Sequence, residues 1–208
     1  ASLDAEVAVR TLFDAPSIAQ LAPHIKVGSG GRELLTPRQR PPVIPLSYAQ
    51  QRLWFLDQFE GGAATYNMPI AFRINGVLDR QALEAALDDV IERHESLRTV
   101  FVDVDGVPYQ QVLPVQAGLW RQPDTQDLAT SAGDVGAGLV KLAAHRFVLS
   151  AEVPVRAQIF AIGPERHVLG IVLHHIAFDG WSMAPMVRDV GMAYAARCSG
   201  RVPDWTPL

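Results

Sequence analysis

The stretch VLGIVLHHIAFDGWSMAPMVRDVGM, residues 168–192, decides the reading of this chain. Val168, Leu169, Ile171, Val172 and Leu173 form a short apolar run with no polar alternation, which predicts a strand covered on both faces. The run delivers two histidines, His174 and His175. Successive side chains on a strand point to opposite faces, so both histidines can face one site only if the strand ends between them. One ring should be tucked into the scaffold and the other presented to a substrate. Gly180 supplies a bend, Ser182 can cap the helix that follows, and Pro185 fits its first turn. Asp179 lies beyond the turn and could return to brace a histidine or meet an arginine. A plainer reading makes the histidines satisfied groups at a strand end and Asp179 a helix cap. No third ligand follows at metal-site spacing and Cys198 stands alone, so no metal site is expected.

Composition bounds the rest. The 208 residues are 49% hydrophobic and 19% charged, those of a folded chain that can bury a core. A net charge of −4 and the lack of a basic run argue against a nucleic-acid partner. The single cysteine suits a reducing compartment. The absence of a signal peptide or an eighteen-residue apolar span points to the cytoplasm rather than a membrane.

Outward from the histidine pair, residues 1–25 carry two short apolar patterns, with Ser17 opening a helix that ends near Pro23. Residues 26–42 are rich in Gly, Pro and Arg and read as a linker. The first segment is too small to hold a core alone. The main domain, residues 43–208, opens with a capping box, Ser47 and Gln50, and a helix to about Phe59. A strand over 68–74 follows, then a helix capped by Asp79 with Leu83, Leu87, Val90 and Ile91 on one face. Asp105-Gly106 marks a hairpin between strands 98–103 and 107–113. Residues 139–149 read as helix, 154–162 and 167–173 as strands, and 183–196 as the last helix. Residues 119–138 carry little pattern beyond turn residues. The alternation predicts a mixed α/β sandwich.

Three stretches together resemble one family, the condensation domains of non-ribosomal peptide synthetases. LSYAQQRLWFL (46–56) is similar to its first core motif, RHESLRTVF (93–101) to its second and HHIAFDGWS (174–182) to its third. The resemblance runs from about residue 42 to the end. Residues 1–25 resemble the last helices of a carrier domain, without the serine motif that bears phosphopantetheine. The family implies a fold like chloramphenicol acetyltransferase: a mixed sheet with flanking helices, in two lobes of which this chain holds the amino-terminal one. The chain is thus expected to be a fragment lacking its second lobe and inactive alone. The first and third motifs look like the class joining two L-configured residues. Epimerisation domains share HHxxxDG but usually lack a motif like RHESLRTVF. A carrier-docking module without turnover is the rival from another class.

The resemblance implies aminolysis: an acceptor aminoacyl amine attacks a donor thioester, each substrate tethered to the 4′-phosphopantetheine of an upstream or downstream carrier domain. No cofactor is expected on this chain itself. His175 is implied as general base or positioning group, and His174 as structural. Asp179 is implied to pair with an arginine, Arg93 first and Arg98 second. Gly180 would let backbone approach the thioester, its N–H facing the oxyanion. Trp181 and Ser182 would line the substrate channel.

Overall fold

The computed structural model describes residues 5–7, 9–27, 39–120, 132–206 and 208. It divides into two compact units, Ala1–Arg40 and Pro41–Leu208. In the first, strands β1 (Ala5–Glu6) and β2 (Lys26–Val27) pair antiparallel. Between them lie helices α1 (Val9–Asp14) and α2 (Ile18–Leu21). Ser17 and Gln20 close a capping box on α2, as their spacing predicts. Among the residues described there, only Ala15 is buried, while Phe13 and Ile18 are exposed.

The second unit begins with β3 (Ile44–Pro45) and α3 (Tyr48–Glu60). The Ser47–Gln50 capping box starts α3, and Gly61 ends it in the left-handed conformation at φ 67°. Strand β4 (Asn67–Asn75) leads to α4 (Arg80–Arg93), whose first turn is capped by Asp79. Strands β5 (Thr99–Val104) and β6 (Val107–Val112) form the expected hairpin. Asp105 and Gly106 both take positive φ, 54° and 81°, as a type I′ turn requires. Helix α5 spans Ala132–Ala143, earlier than the 139–149 expected. The apolar spacing that continues to Leu149 is non-helical chain: Phe147 and Leu149 pack into the core, and Leu149 O accepts a hydrogen bond from Phe101 N. Strands β7 (Val155–Gly163) and β8 (Arg166–His174) and helix α6 (Met183–Cys198) complete the unit.

In this second unit the described strands pair antiparallel, in one sheet of order β3-β6-β5 and another of order β4-β8-β7. Strand β8 is central, and every residue from Val168 to His174 is buried. Its odd-numbered side chains, Leu169, Ile171 and Leu173, pack with Leu83, Leu87, Val90 and Ile91 of α4 and Met186 of α6. On the other face Val172 meets Leu46, Phe101 and Phe147, and Val168 meets Phe160 and Val135. Each such side chain contributes about 1.5–3 kcal/mol, so packing on two faces holds this strand more firmly than its ladder alone.

Helix α5 can approach β8 only because position 170 lacks a side chain. A Cβ there would lie 2.6 Å from Leu139 Cδ2 and 3.0 Å from Leu142 Cδ2. Gly170→Ala is therefore expected to cost about 1–3 kcal/mol through overpacking, read as a lowered urea midpoint. An unchanged midpoint would mean α5 is not seated as described.

Candidate active site

Strand β8 ends at His174, so the two histidines part company. His174 belongs to the buried even face and is 1% exposed, whereas the side chain of His175 is exposed. The His174 backbone N–H donates to Pro154 O and that of His175 to Tyr66 O, both on neighbouring segments. The turn that follows is therefore mounted on a strand rather than left as a free loop.

Hydrogen bonds assign opposite tautomers to the two rings. Nδ1 of His175 lies 2.8 Å from Phe178 O. A carbonyl only accepts, so Nδ1 carries the proton and Nε2 keeps its lone pair. In His174 the backbone N–H of Ile176 donates to Nδ1 at 3.2 Å, which leaves the proton on Nε2. That Nε2 has no hydrogen-bond partner among the described residues. The rings of Phe147 and Tyr66 stand edge-on to His174 at 6.1 and 6.4 Å. Burial, and then the neighbouring His175, push the His174 pKa down to about 4. His174 is a neutral buried ring, and His175 is the one that offers a base to solvent.

The expected pairing of Asp179 with Arg93 or Arg98 is corrected. Asp179 is exposed, and it accepts from Ser182 N at 2.9 Å and Ser182 Oγ at 2.7 Å. It caps a 3-10 turn, Gly180–Ser182, that runs directly into α6. The Ser182 hydroxyl and N–H, with lesser help from Trp181 N–H and His175, hold its carboxyl below the ordinary carboxylate range. Ser182 itself makes no side-chain cap on α6. Arg98 instead donates from Nη1 to Leu113 O and from Nη2 to Glu95 at 3.4 Å.

Arg93 serves a different carboxylate. Asp189 on α6 is 2% exposed and gathers Arg93 Nε at 3.0 Å, His94 Nε2 at 2.8 Å and Arg188 Nε at 3.0 Å. Arg93 also donates to Thr206 O at 2.6 Å and lies 4.8 Å from the Trp205 ring centroid. Burial pushes the Asp189 carboxyl up, but the hydrogen bonds from His94, Arg188 and Arg93 outweigh it and hold the carboxyl below its usual range. The sequence signal was present: Asp189 falls on the buried stripe of α6 with Met186 and Ala193. A carboxylate on an apolar stripe needs a cation.

Gly180 is exposed, takes no left-handed φ and would meet nothing within 4 Å if given a Cβ. Neither strain nor packing within this chain demands glycine there, and the expected bend does not rest on its conformational freedom. Trp181 is 91% exposed. With His94, Leu97, Phe178, Asp179 and Ser182 it borders a cavity of about 460 Å³ that opens to solvent beside the turn. Among the described residues no group of His, Cys, Asp or Glu is placed to hold a metal, and no helix is long and apolar enough to cross a membrane.

Residues 42–207 match the family described as the condensation domain. The chain belongs to the condensation domain family. This condensation domain sequence is 50% identical over 98% of its length to a probable non-canonical nonribosomal peptide synthetase of Salinispora arenicola. It is 43% identical over 99% of its length to a dimodular nonribosomal peptide synthase of Bacillus subtilis. It spans 3% and 8% of those two proteins. Among solved structures it resembles the X-domain from teicoplanin biosynthesis, with TM-score 0.73 and 35% identity over 85% of this chain and 37% of that one. The first condensation domain of the CDA synthetase shares the fold at TM-score 0.68 and 23% identity, over 81% of this chain and 44% of that one. The mixed α/β lobe is thus that of a condensation domain, with the chloramphenicol acetyltransferase-like fold expected.

Two expectations follow from the geometry. Asp189→Ala strands the buried guanidinium of Arg93 and should cost about 3–5 kcal/mol, whereas Asp179→Ala removes only a cap worth about 0.5–2 kcal/mol. Urea unfolding at pH 7 measures both, and the reverse order would contradict the assignment. Asp189 stabilises the fold above the unfolded carboxylate pKa and loses that effect as pH falls toward its depressed native value. His174 acts in a higher window. Its folded pKa lies below the unfolded 6.5, so stability is full above 6.5 and falls by about 3 kcal/mol as pH drops toward 4. A His174→Phe variant should show a flatter stability curve between pH 6.5 and 4, and an unchanged slope would show that His174 does not titrate there.

Proposed function

We propose that this lobe carries the proton-accepting half of a peptide-bond-forming condensation site, with His175 as the group that meets substrate. The observation that supports it most is the exposed imidazole of His175 at the end of a buried strand, whose Nδ1–Phe178 hydrogen bond leaves the lone pair on Nε2. The donor is an acyl thioester and the acceptor an aminoacyl thioester, each carried on the phosphopantetheine arm of a partner carrier domain. The acceptor amine attacks the thioester carbonyl, the C–N bond forms and the C–S bond breaks. The proton lost by nitrogen passes to His175 Nε2 and on to the departing thiolate.

Magnitudes order the contributions. General-base catalysis supplies about 10²–10⁴ in rate. Holding two tethered reactants in near-attack geometry supplies about 7–11 kcal/mol. Proximity is the larger effect, and a thioester is already activated, so no covalent enzyme intermediate is required. His175 accelerates and positions within an encounter made by the carriers and a second lobe facing this one. The open space at Gly180 suits close approach of the thioester, with the backbone N–H turned to its oxygen. The first and third motifs favour joining of two L-configured residues over epimerisation. Residues 1–25 are read as the end of a preceding carrier domain and 26–42 as the linker from it.

A second reading has one observation behind it. The X-domain of teicoplanin biosynthesis, similar to this chain, has been solved in complex with OxyB, so a domain of this fold can serve as a platform for another protein. A two-lobed condensation domain containing this lobe, supplied with loaded donor and acceptor carriers, separates the two. Dipeptide formation should be measurable, and His175→Ala should slow it about 10²-fold or more. Gly180→Val should leave the unfolding free energy from urea titration within about 0.5 kcal/mol, as for a substitution into open space, yet depress the rate. Turnover at the same rate without the imidazole would sink the catalytic role.

A further inference from the structure

Two buried polar atoms behind the histidine turn have no hydrogen-bond partner among the described residues: Nε2 of His174 and Oδ1 of Asn67. Asn67 opens β4 and stands directly opposite His174 in the β4–β8 ladder. The adjacent position carries the interstrand bond, from His175 N–H to Tyr66 O. The pair of 67 with 174 is therefore the close, non-bonded kind, its Cβ atoms about 4.5–5.5 Å apart and its side chains on one face. Hydrogen bonding decides which way the Asn67 amide is turned. Nδ2 donates to Ala143 O at 2.8 Å and His145 O at 2.7 Å, and a carbonyl only accepts, so Oδ1 is the atom left over. On His174 the bond from Ile176 N–H to Nδ1 leaves the proton on Nε2. One orphan is thus a donor and the other an acceptor.

We infer that a buried water bridges His174 Nε2–H to Asn67 Oδ1, and that Asn67 is thereby a positioning residue for the histidine turn. Leaving both atoms unpaired away from solvent is costly, and a water that accepts from Nε2–H and donates to Oδ1 satisfies both. A line of hydrogen bonds then runs from the end of α5 toward the reacting ring. The carbonyls of Ala143 and His145 hold the Asn67 amide, the water passes that hold to His174, and His174 Nδ1 holds Ile176 N–H. Ile176 lies within the turn that reaches Phe178, whose carbonyl keeps the proton of His175 on Nδ1. Phe147 stands edge-on to both His145 and His174, so the chain leaving α5 also packs against the ring that it helps to hold. The positioning role rests on the peptide-bond-forming reading above; the water site does not.

A high-resolution crystal structure of the two-lobed domain tests the site without any substitution. Solvent density should lie within about 3.2 Å of both His174 Nε2 and Asn67 Oδ1. Asn67→Leu keeps the bulk of the side chain and removes both polar atoms. Amide exchange at Ile176 should then quicken about tenfold or more beyond any change at Ile171, a core amide of the same strand. With loaded donor and acceptor carriers, this variant should lower kcat about tenfold while KM stays within about twofold, as for a displaced reacting group. No solvent density between the two atoms would overturn the water site. Equal quickening at Ile176 and Ile171, or an unchanged kcat, would reduce Asn67 to a structural residue and overturn the positioning role. A wild type that makes no dipeptide would overturn the condensation reading and the positioning role with it, while the density would still decide the water.

Discussion

Everything at the site depends on where β8 stops. A strand buried on both faces has no freedom to slip, because a shift of one residue would exchange Leu169, Ile171 and Leu173 with Gly170, Val172 and His174. The nine-residue pairing of β4 with β8, ending at Asn67 opposite His174, fixes that register. His174 is then committed to the interior, and the next residue is the first free to turn outward. The chemistry of the pair follows: one ring is neutral and enclosed, the other has its proton on Nδ1 and its base outward.

The second constraint is the buried carboxylate of Asp189. It joins the end of α4, through Arg93 and His94, to the middle of α6, the helix that continues from the histidine turn. Because Arg93 also holds Thr206 O and faces Trp205, the segment after α6 is tied to the same point. The wall of the cavity containing His94 and Leu97 and the wall containing Ser182 and Met186 are thereby kept at a set separation. Asp179, hydrogen-bonded to Ser182, is left to face outward.

Much of this was legible in the sequence. Caps at Ser17, Ser47 and Asp79, the Asp105-Gly106 turn and the apolar run into His174 are local signals, and local hydrogen bonding or steric preference decides them. The burial of His174 and exposure of His175 follow from where the strand ends, since both faces of β8 are covered, and the motif resemblance rather than alternation assigned which ring is which. The start of α5 was missed because Val135 and Leu142 pack across a face thinned by Gly136 and Gly138, while the spacing past 143 mimics a helix in irregular chain. The Arg93 partner was missed for a different reason. Resemblance ranks carboxylates by motif, but burial decides which needs a cation, and Asp189 lies outside the quoted motifs on a helix stripe.

The central claim is that the two adjacent imidazoles hold opposite tautomers. A long-range ¹⁵N–¹H correlation spectrum of the folded lobe near pH 7.5, with His174 and His175 assigned by single substitution, reads this directly. The account predicts a protonated Nδ1 with a pyridine-like Nε2 for His175, and the reverse for His174. The same tautomer in both rings, or a protonated Nε2 at His175, would contradict it.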